Sequence, residues 1–307
     1  MANIGIIGSG NVGANTAFFI AEHNVAHVVL YDIQEGLSTG KALDMMEAAP
    51  VRGYDVRIQG TDRLEHVLAN DIIIVTAGSV RKPGMQREDL YSENAGVIRE
   101  LAKSMSGSSA KVIMVSEPVD LLTALFVEES GLDRRQVMGL GGVLDSTRLR
   151  YFIAEELGVT TENVQATVIG RHADAMIPLS RYCTVSGVPV TQLMPSDRLE
   201  ELFDETRNAG SLIVDMAQRA SSYYGPSAAA TELAQAVNMN TGRIMTVSMM
   251  LRGEYGIEGV AMSLPAVIGR NGIEQVMLPQ LTDAEQQKLT ASAEDLKTMM
   301  KSAGGKK

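Results

Sequence analysis

Apolar residues in the first half of the chain fall into short continuous runs separated by stretches with helical spacing. The runs predict buried strands at residues 3–8, 27–31, 56–59, 71–76 and 111–116. Helical stretches cover residues 11–22, 36–48 and 90–104, and Pro118 marks the start of a further helix. Strands that alternate with helices are typical of βαβ units. We therefore predict a doubly wound parallel α/β sheet for this half.

The pattern of apolar positions changes after about Val143. Helical spacing predicts helices at residues 145–157, 198–223, 227–238 and 283–301, the second of them broken near Gly210. Apolar runs predict extended segments at residues 164–169 and 179–185, and neighbouring antiparallel strands at residues 243–251 and 259–268. This mixture predicts a second, α+β domain. We expect domains of residues 1–143 and 144–307, with a ligand site in the crevice between them.

Composition narrows the class of protein without identifying it. Of the 307 residues, 45% are hydrophobic and 21% charged, which is typical of a soluble globular protein. No apolar run reaches the roughly 18 residues of a membrane span, and the N-terminal run is too short for a secretory signal. Acidic residues outnumber basic ones 37 to 27, which disfavours nucleic acids and anionic membranes as partners. A single cysteine, Cys183, fits the reducing cytoplasm.

A glycine motif follows the first predicted strand and begins the first predicted helix. Gly8, Gly10 and Gly13 form the G-x-G-x-x-G pattern, in which the glycines allow a tight turn, the approach of a pyrophosphate and close helix–strand packing. Asp32 ends the second strand, at the distance expected for an acid that binds the ribose hydroxyls. The pattern predicts a Rossmann-type domain that prefers NAD to NADP. The alternative is that Asp32 only caps the following turn.

Three of the four histidines occupy polar surroundings. His23 and His27 flank a turn and have no obvious acidic or cysteine partner, and His66 follows Glu65 in a polar segment. A protein zinc site needs three or four such ligands. We therefore expect these histidines at the surface and predict no metal site.

The fourth histidine, His172, follows an extended segment and has a candidate partner elsewhere in the chain. Asp145 and Arg148 are three residues apart on a predicted helix and therefore share one of its faces. A carboxylate beside a histidine fixes its tautomer and stabilises the imidazolium, which yields an acid/base group. An arginine on the same face can bind a substrate carboxylate with two parallel hydrogen bonds. Without a partner, a structural histidine is the simpler interpretation.

A basic loop at residues 77–89 follows the predicted strand at residues 71–76. It contains Arg81 and Arg87, and its glycines allow movement. Open α/β sheets bind ligands at the carboxyl ends of their strands, so two arginines here can meet a small dianion when the loop closes. A solvated basic loop is the alternative.

These motifs together resemble the lactate/malate dehydrogenase family, in particular its lactate dehydrogenase-like malate dehydrogenases from bacteria. The resemblance extends over essentially the whole chain. It implies that His172 exchanges the substrate proton, with Asp145 as its partner. It implies that Arg148 binds the C1 carboxylate and that Arg87 polarises the reacting carbonyl. Arg81 occupies the position that reads the distal group, where lactate enzymes usually carry Gln and malate enzymes Arg.

The resemblance also implies the ligands and the setting of the reaction. It implies NAD as cofactor and reversible hydride transfer between malate and oxaloacetate. The residues that it places at the cofactor are Gly8, Ser9, Gly10, Asn11, Val12, Gly13, Asp32, Asn94, Val115, Ser116 and Glu117. It places Ser222 and Glu117 at the substrate. It further implies a cytoplasmic homodimer or homotetramer that acts in the tricarboxylic acid cycle.

The sequence departs from the family pattern at two positions near the expected reaction centre. Glu117 replaces the Asn of a Ser-Asn-Pro motif, and Arg171 precedes His172 where the family carries Gly or Glu. An unpaired carboxylate there would keep His172 protonated and raise its pKa. We expect Glu117 to form an ion pair with Arg171. The alternatives are that Glu117 impairs catalysis in an NAD-binding protein, or that another 2-hydroxy acid such as lactate is the substrate.

Overall fold

The computed structural model describes residues 3–79, 87–172, 175–217 and 222–304. The first half of this part contains six strands, β1 (Asn3–Ile7), β2 (His27–Tyr31), β3 (Ile58–Thr61), β4 (Ile72–Val75), β5 (Lys111–Met114) and β6 (Val137–Gly139). Its helices are α1 (Asn11–Glu22), α2 (Leu37–Arg52), α3 (Leu64–Leu68), α4 (Arg87–Ser104) and α5 (Val119–Ser130).

The first six strands are parallel, and their order is β3-β2-β1-β4-β5-β6. The central strands β1 and β4 pair in register, with Ile4 opposite Ile72. All four residues of β4 are buried because helices cover both faces of a parallel sheet. The strand order reverses between β1 and β4, and a doubly wound sheet opens its ligand crevice at such a point. The predicted Rossmann-type sheet is confirmed.

The second half adds helices α6 (Gly141–Leu157), α7 (Ser196–Ala217), α8 (Tyr224–Asn238) and α9 (Asp283–Gly304). Its strands are β7 (Val164–Gln165), β8 (Val168–Gly170), β9 (Met176–Pro178), β10 (Thr184–Val185), β11 (Val188–Pro189), β12 (Arg243–Arg252), β13 (Glu258–Gly269) and β14 (Gly272–Val276). The predicted antiparallel pairing of β12 with β13 is confirmed. β12 also pairs with β6, so one mixed sheet continues from the first half into the second.

Several predicted elements differ from the structure. The predicted extended segment 164–169 is two short strands in different sheets, and that at 179–185 is largely a 3₁₀ turn, Ser180–Tyr182, between β9 and β10. Helix α7 passes through Gly210 without a break. A Cβ at position 210 would contact the guanidinium of Arg148, so the glycine lets α7 approach α6 closely. Such packing offsets the cost of about 1 kcal/mol that glycine carries inside a helix.

Helix α5 links the two halves of the molecule. Ten of its twelve residues are buried, including Phe126, because it packs on β12 and β13 as well as on α4. A helix that is apolar on nearly all sides belongs in a core. The buried helix fixes the position of the segment at its start, from Glu117 just before it to Asp120 in its first turn, beside the crevice. Among the described helices, none has the length and apolar character of a membrane span.

Candidate active site

The glycine motif forms a tight turn between β1 and α1. Gly8 has φ +104°, a conformation that favours glycine, and a Cβ there would lie 2.8 Å from Thr76 Oγ1. A Cβ at Gly13 would overlap the carbonyl oxygen of Gly8, so α1 packs against the turn only without a side chain. At Gly10 no heavy atom lies within 4 Å of an added Cβ. This open backbone at the N-terminus of α1 fits the pyrophosphate of a dinucleotide.

Asp32 lies at the end of β2, beside the glycine turn. Its Oδ2 accepts a hydrogen bond of 2.7 Å from the backbone N–H of Ser9, and its Oδ1 accepts one of 3.0 Å from Gln34. Lys41 donates to the Ser9 carbonyl at 2.6 Å. The carboxylate is thus held at the edge of the turn and remains partly exposed, which fits recognition of ribose hydroxyls. Asp32 can therefore cap the turn and still bind ribose hydroxyls, so the two interpretations of this residue are compatible.

A crevice of about 1180 Å³, including its open mouth, runs from the glycine turn to His172. Its walls come from the carboxyl ends of β4 and β5 and from α4, α6, α7 and α8. The residues at its lining that the sequence singled out are Val12, Asn94, Val115, Ser116, Glu117, Arg148, His172 and Ser222. The structure therefore brings residues of the predicted cofactor and substrate sets to one cavity.

Asn94 fixes the loop that forms the upper wall of this crevice. The side chain is buried, accepts from the Ser79 N–H at 2.7 Å and donates to the Glu117 carbonyl at 2.8 Å. A Cβ on Gly78, whose φ is +128°, would lie 2.5 Å from the Asn94 amide oxygen. Ser116 Oγ donates to the Ala77 carbonyl at 2.5 Å. Both side chains hold the segments after β4 and β5 at a set distance from each other.

His172 and Asp145 form a buried pair at the far end of the crevice. Asp145 Oδ2 lies 2.9 Å from His172 Nδ1, and the two side chains are 1% and 7% exposed. Asp145 Oδ1 has no hydrogen-bond partner among the described residues and lies 4.0 Å from Arg148 Nη1. α6 approaches this point through Gly141, where a Cβ would lie 3.4 Å from the His172 Cβ. The imidazole thus presents Nε2 toward the crevice.

The Glu117 carboxylate contacts the other ring nitrogen of the same histidine, Nε2. Its Oε1 lies 3.1 Å from His172 Nε2, and its Oε2 accepts from the Val119 N–H at 3.0 Å. We expected an ion pair between Glu117 and Arg171. The two side chains line one small cavity, but the carboxylate is directed to the helix N-terminus and to the imidazole instead. The backbone N–H of Val119 is available to the Glu117 carboxylate because the first N–H groups of a helix lack intrahelical partners.

Asp120 is a further carboxylate at His172 that the sequence analysis missed. It is buried, its Oδ2 accepts from the His172 backbone N–H at 2.7 Å, and its Oδ1 accepts from Ser248 Oγ at 2.5 Å. These bonds tie α5 and β12 to the segment that carries the histidine. The available signal was an acidic residue among the apolar residues that begin α5, shortly after the end of a strand.

The carboxylates shift the titration of the histidine. Burial lowers the pKa of His172, but the charges of Asp145 and Glu117 and their hydrogen bonds outweigh it and raise the pKa to about 10. Burial raises the pKa of Asp120 to about 6, against the hydrogen bonds from Ser248 and His172, which lower it. The imidazolium is therefore the stable form of His172 at neutral pH.

The two predicted arginines of the basic loop differ in how far the structure describes them. Arg81 lies outside the described residues, and Arg87 is placed only as the first residue of α4. Arg207 of α7 lines the crevice although the sequence gave no indication of it, because only packing decides which face of α7 meets the cavity. In the described part of the chain, no group of three or more His, Cys, Asp or Glu residues is arranged to hold a metal ion.

The chain matches two family models over most of its length. Residues 2–139 match the model described as lactate/malate dehydrogenase, NAD binding domain. Residues 142–306 match the model described as lactate/malate dehydrogenase, alpha/beta C-terminal domain.

Individual relatives and solved structures agree with these matches. The chain is 42% identical over 299 residues to malate dehydrogenase of Methanosarcina barkeri, with 97% of each chain covered. Its structure resembles that of Cryptosporidium parvum malate dehydrogenase, with a TM-score of 0.95, 32% identity and 99% of each chain covered. It equally resembles lactate dehydrogenase of C. parvum complexed with lactic acid and nicotinamide adenine dinucleotide, with a TM-score of 0.95, 33% identity, and 100% and 99% of the chains covered.

Proposed function

The chain belongs to the lactate/malate dehydrogenase family, and from this premise we propose that it oxidises L-malate to oxaloacetate with NAD, reversibly. The observation that carries the proposal is the buried His172–Asp145 pair at the end of a crevice that begins at the Gly8–Gly13 turn. Relatives that are about 40% identical over nearly the whole chain are named malate dehydrogenase. Residues 1–143 would hold the cofactor, and residues 144–307 would supply most groups that act on the substrate.

The positions of these residues in and beside the crevice support the roles that the family resemblance implies. Bound NAD would supply the hydride acceptor for oxidation and, as NADH, the hydride donor for reduction. In oxidation, neutral His172 accepts the hydroxyl proton on Nε2, and Asp145 stabilises the imidazolium that forms. In reduction, the imidazolium gives that proton to the carbonyl oxygen. Arg148 lies beside this pair and binds one substrate carboxylate.

The loop arginines complete the proposed substrate site, on the strength of the family resemblance. Arg81 would bind the second carboxylate, which distinguishes malate from lactate, and Arg87 would stabilise charge on the C2 oxygen. Closure of the loop would exclude water from these charges. Ser222 lines the same crevice from the segment before α8.

The compartment, the oligomeric state and the metabolic role can also be inferred from the family. We propose a cytoplasmic homodimer or homotetramer that serves the tricarboxylic acid cycle. The basis is the family resemblance together with the single, buried Cys183, which fits a reducing compartment.

A steady-state assay tests the proposed function. The purified protein is assayed with NADH and either oxaloacetate or pyruvate, and with NAD and malate. We expect kcat/KM for oxaloacetate to exceed that for pyruvate by at least about 100-fold, since a buried charged contact contributes a few kcal/mol to discrimination. Preference for pyruvate would make the chain a lactate dehydrogenase. NADH binding without turnover of either acid would indicate the NAD-binding protein of impaired catalysis.

A further inference from the structure

Glu117 contacts the one ring nitrogen that a substrate proton can reach. His172 Nδ1 is taken by Asp145 at 2.9 Å, and Glu117 Oε1 lies 3.1 Å from Nε2. The histidine therefore lies between two carboxylates, one buried and one 40% exposed. An imidazolium can donate to both at once, whereas a neutral imidazole can donate to only one. The arrangement favours the protonated ring.

The Glu117 carboxylate is itself held in place by the start of α5. Its Oε2 accepts from the Val119 N–H at 3.0 Å, at the positive end of a twelve-residue helix. A carboxylate at a helix N-terminus is stabilised in its charged form. The carboxylate thus bridges a fixed backbone donor and the imidazole.

The other charged groups around His172 do not reproduce this contact. From α6, Asp145 contacts Nδ1, and Arg148 lies beyond Asp145 at 4.0 Å. From α5, Asp120 accepts the backbone N–H of His172 and is therefore directed to the main chain. Arg171, the neighbour of His172, lines the small cavity behind Glu117. Within the described part of the chain, Glu117 is the acidic group placed at Nε2.

We propose that Glu117 is a positioning residue that holds the imidazolium form of His172 before substrate binds, so that oxidation of the 2-hydroxy acid must first remove this proton. The proposal rests on the proposed function and specifies what controls the protonation state of its acid/base group. In reduction, the Nε2–H bond breaks as the proton moves to the C2 oxygen, while hydride from NADH adds to C2. The neutral ring then takes a proton from solvent, and the Nε2–H···Glu117 contact forms again.

The raised pKa of His172 determines how kcat/KM depends on pH in each direction. Oxidation needs neutral His172, so kcat/KM for malate should rise with pH until the raised pKa, about 10, is reached. Reduction needs the imidazolium, so kcat/KM for oxaloacetate should stay level and fall only above that pKa. The substrate must displace the carboxylate from Nε2. The effect should therefore be larger on kcat/KM, which reports the enzyme before substrate binds, than on kcat.

Substitutions at position 117 separate charge from shape. Glu117→Gln keeps the length of the side chain without its charge, and Glu117→Asp keeps the charge on a shorter side chain. Glu117→Asn, with the residue that the family pattern carries, is a second neutral variant should Gln fold poorly. The matched control is Glu162→Gln, which removes one negative charge from an exposed turn. For each protein, pH profiles of kcat/KM and kcat are measured for malate at saturating NAD and for oxaloacetate at saturating NADH.

We expect both neutral variants to lower the midpoint of the malate profile by about one pH unit or more, which raises kcat/KM for malate at pH 7.5 about tenfold. Glu117→Asp should keep part of the raised midpoint, and Glu162→Gln should match the wild type. Unchanged midpoints in both neutral variants would overturn the proposal. So would equal effects of Asp and Gln, since these indicate a role of shape.

A second measurement does not depend on turnover. The ¹⁵N imidazole signals of the free protein are followed with pH, and His172 is assigned among the four histidines by comparison with His172→Asn. In the wild type, His172 should remain an imidazolium through neutral pH, and in Glu117→Gln it should titrate at lower pH. A shifted titration in a protein that turns over neither acid would support the role of Glu117 and refute the proposed function. The same titration midpoint in both proteins would refute the role of Glu117.

Discussion

The cofactor end and the chemical end of the crevice are built in different ways. At the cofactor end the groups that face the pyrophosphate are backbone atoms, exposed because Gly8, Gly10 and Gly13 carry no side chains. At the chemical end the decisive groups are side chains from three separate segments, Glu117 before α5, Asp145 on α6 and His172 after β8. A site made of backbone can be identified from one short motif. A site made of side chains depends on how distant segments pack, and it can vary while the fold stays the same.

The sharpest test of this contrast removes the acid/base group and leaves the cofactor end intact. Replacing His172 with Asn should lower kcat for oxaloacetate about 10³-fold, because the proton loses its positioned donor. NADH affinity, measured by fluorescence titration, should stay within about twofold of wild type, since the glycine turn is distant. His23→Asn, at an exposed histidine beyond α1, is the control. Near-native turnover would assign His172 a structural role.

Substrate choice should respond to the loop arginine. Replacing Arg81 with Gln should lower kcat/KM for oxaloacetate roughly 100-fold and raise the relative activity on pyruvate, because the proposed charged contact to the second carboxylate would be lost. Arg57→Gln, an exposed arginine before β3, serves as the control. Unchanged kinetics with oxaloacetate would remove Arg81 from the substrate site.

Substitutions of Asp120 test whether its hydrogen bonds to His172 and Ser248 stabilise the chemical end of the crevice. Asp120→Ala leaves the His172 N–H and the Ser248 hydroxyl without their acceptor and should lower the free energy of unfolding by about 2 kcal/mol. Asp120→Asn can still accept from the N–H, so its loss should be smaller. Urea denaturation measures both. Equal losses in the two variants would show that the charge of Asp120, and not its hydrogen bonding, stabilises the segment.

The smallest effect is expected at the cofactor end. Wild-type enzyme should prefer NADH to NADPH, because Asp32 in its proposed role would accept from ribose hydroxyls and repel a 2′-phosphate. The double variant Asp32→Ser with Ile33→Arg, at a neighbour that is 90% exposed, should reduce this preference at least about tenfold. The ratio of kcat/KM for the two cofactors measures it, with Asp55→Ser as the control. Equal use of both cofactors by the wild type would contradict the assignment of Asp32.

The sequence predicted those parts of the molecule that local patterns determine. Helix α1 and strand β2 have the predicted bounds because periodicity and the glycine turn define them. The predicted break of α7 at Gly210 is wrong. The glycine is explained by the close approach of Arg148, and a tertiary contact of this kind leaves no pattern in the sequence around position 210. Strand β6 has three residues, which is too short for a hydrophobic pattern of its own, and it is held in the sheet by pairing with β5 and β12.

The chemical end shows the same limit. Helical spacing places Asp145 and Arg148 on one face, but no spacing relates either of them to His172, which follows Asp145 by 27 positions. The motif around Glu117 marked it as unusual, yet its partner is His172 and not the predicted Arg171. Asp120 looked like an ordinary first-turn residue. The burial of α5 brings Glu117 and Asp120 to the histidine, and only the packed structure reveals it.

Under the proposed function, the crevice brings NAD and one dicarboxylate together at His172. A crystal structure of the protein with NADH and a non-reactive dicarboxylate analogue of oxaloacetate is the direct test. We expect the pyrophosphate at Gly10, one carboxylate on Arg148, and the oxygen at C2 within hydrogen-bond distance of His172 Nε2, with Glu117 displaced from that nitrogen. A dicarboxylate bound away from Arg148, with Glu117 still on Nε2, would contradict it.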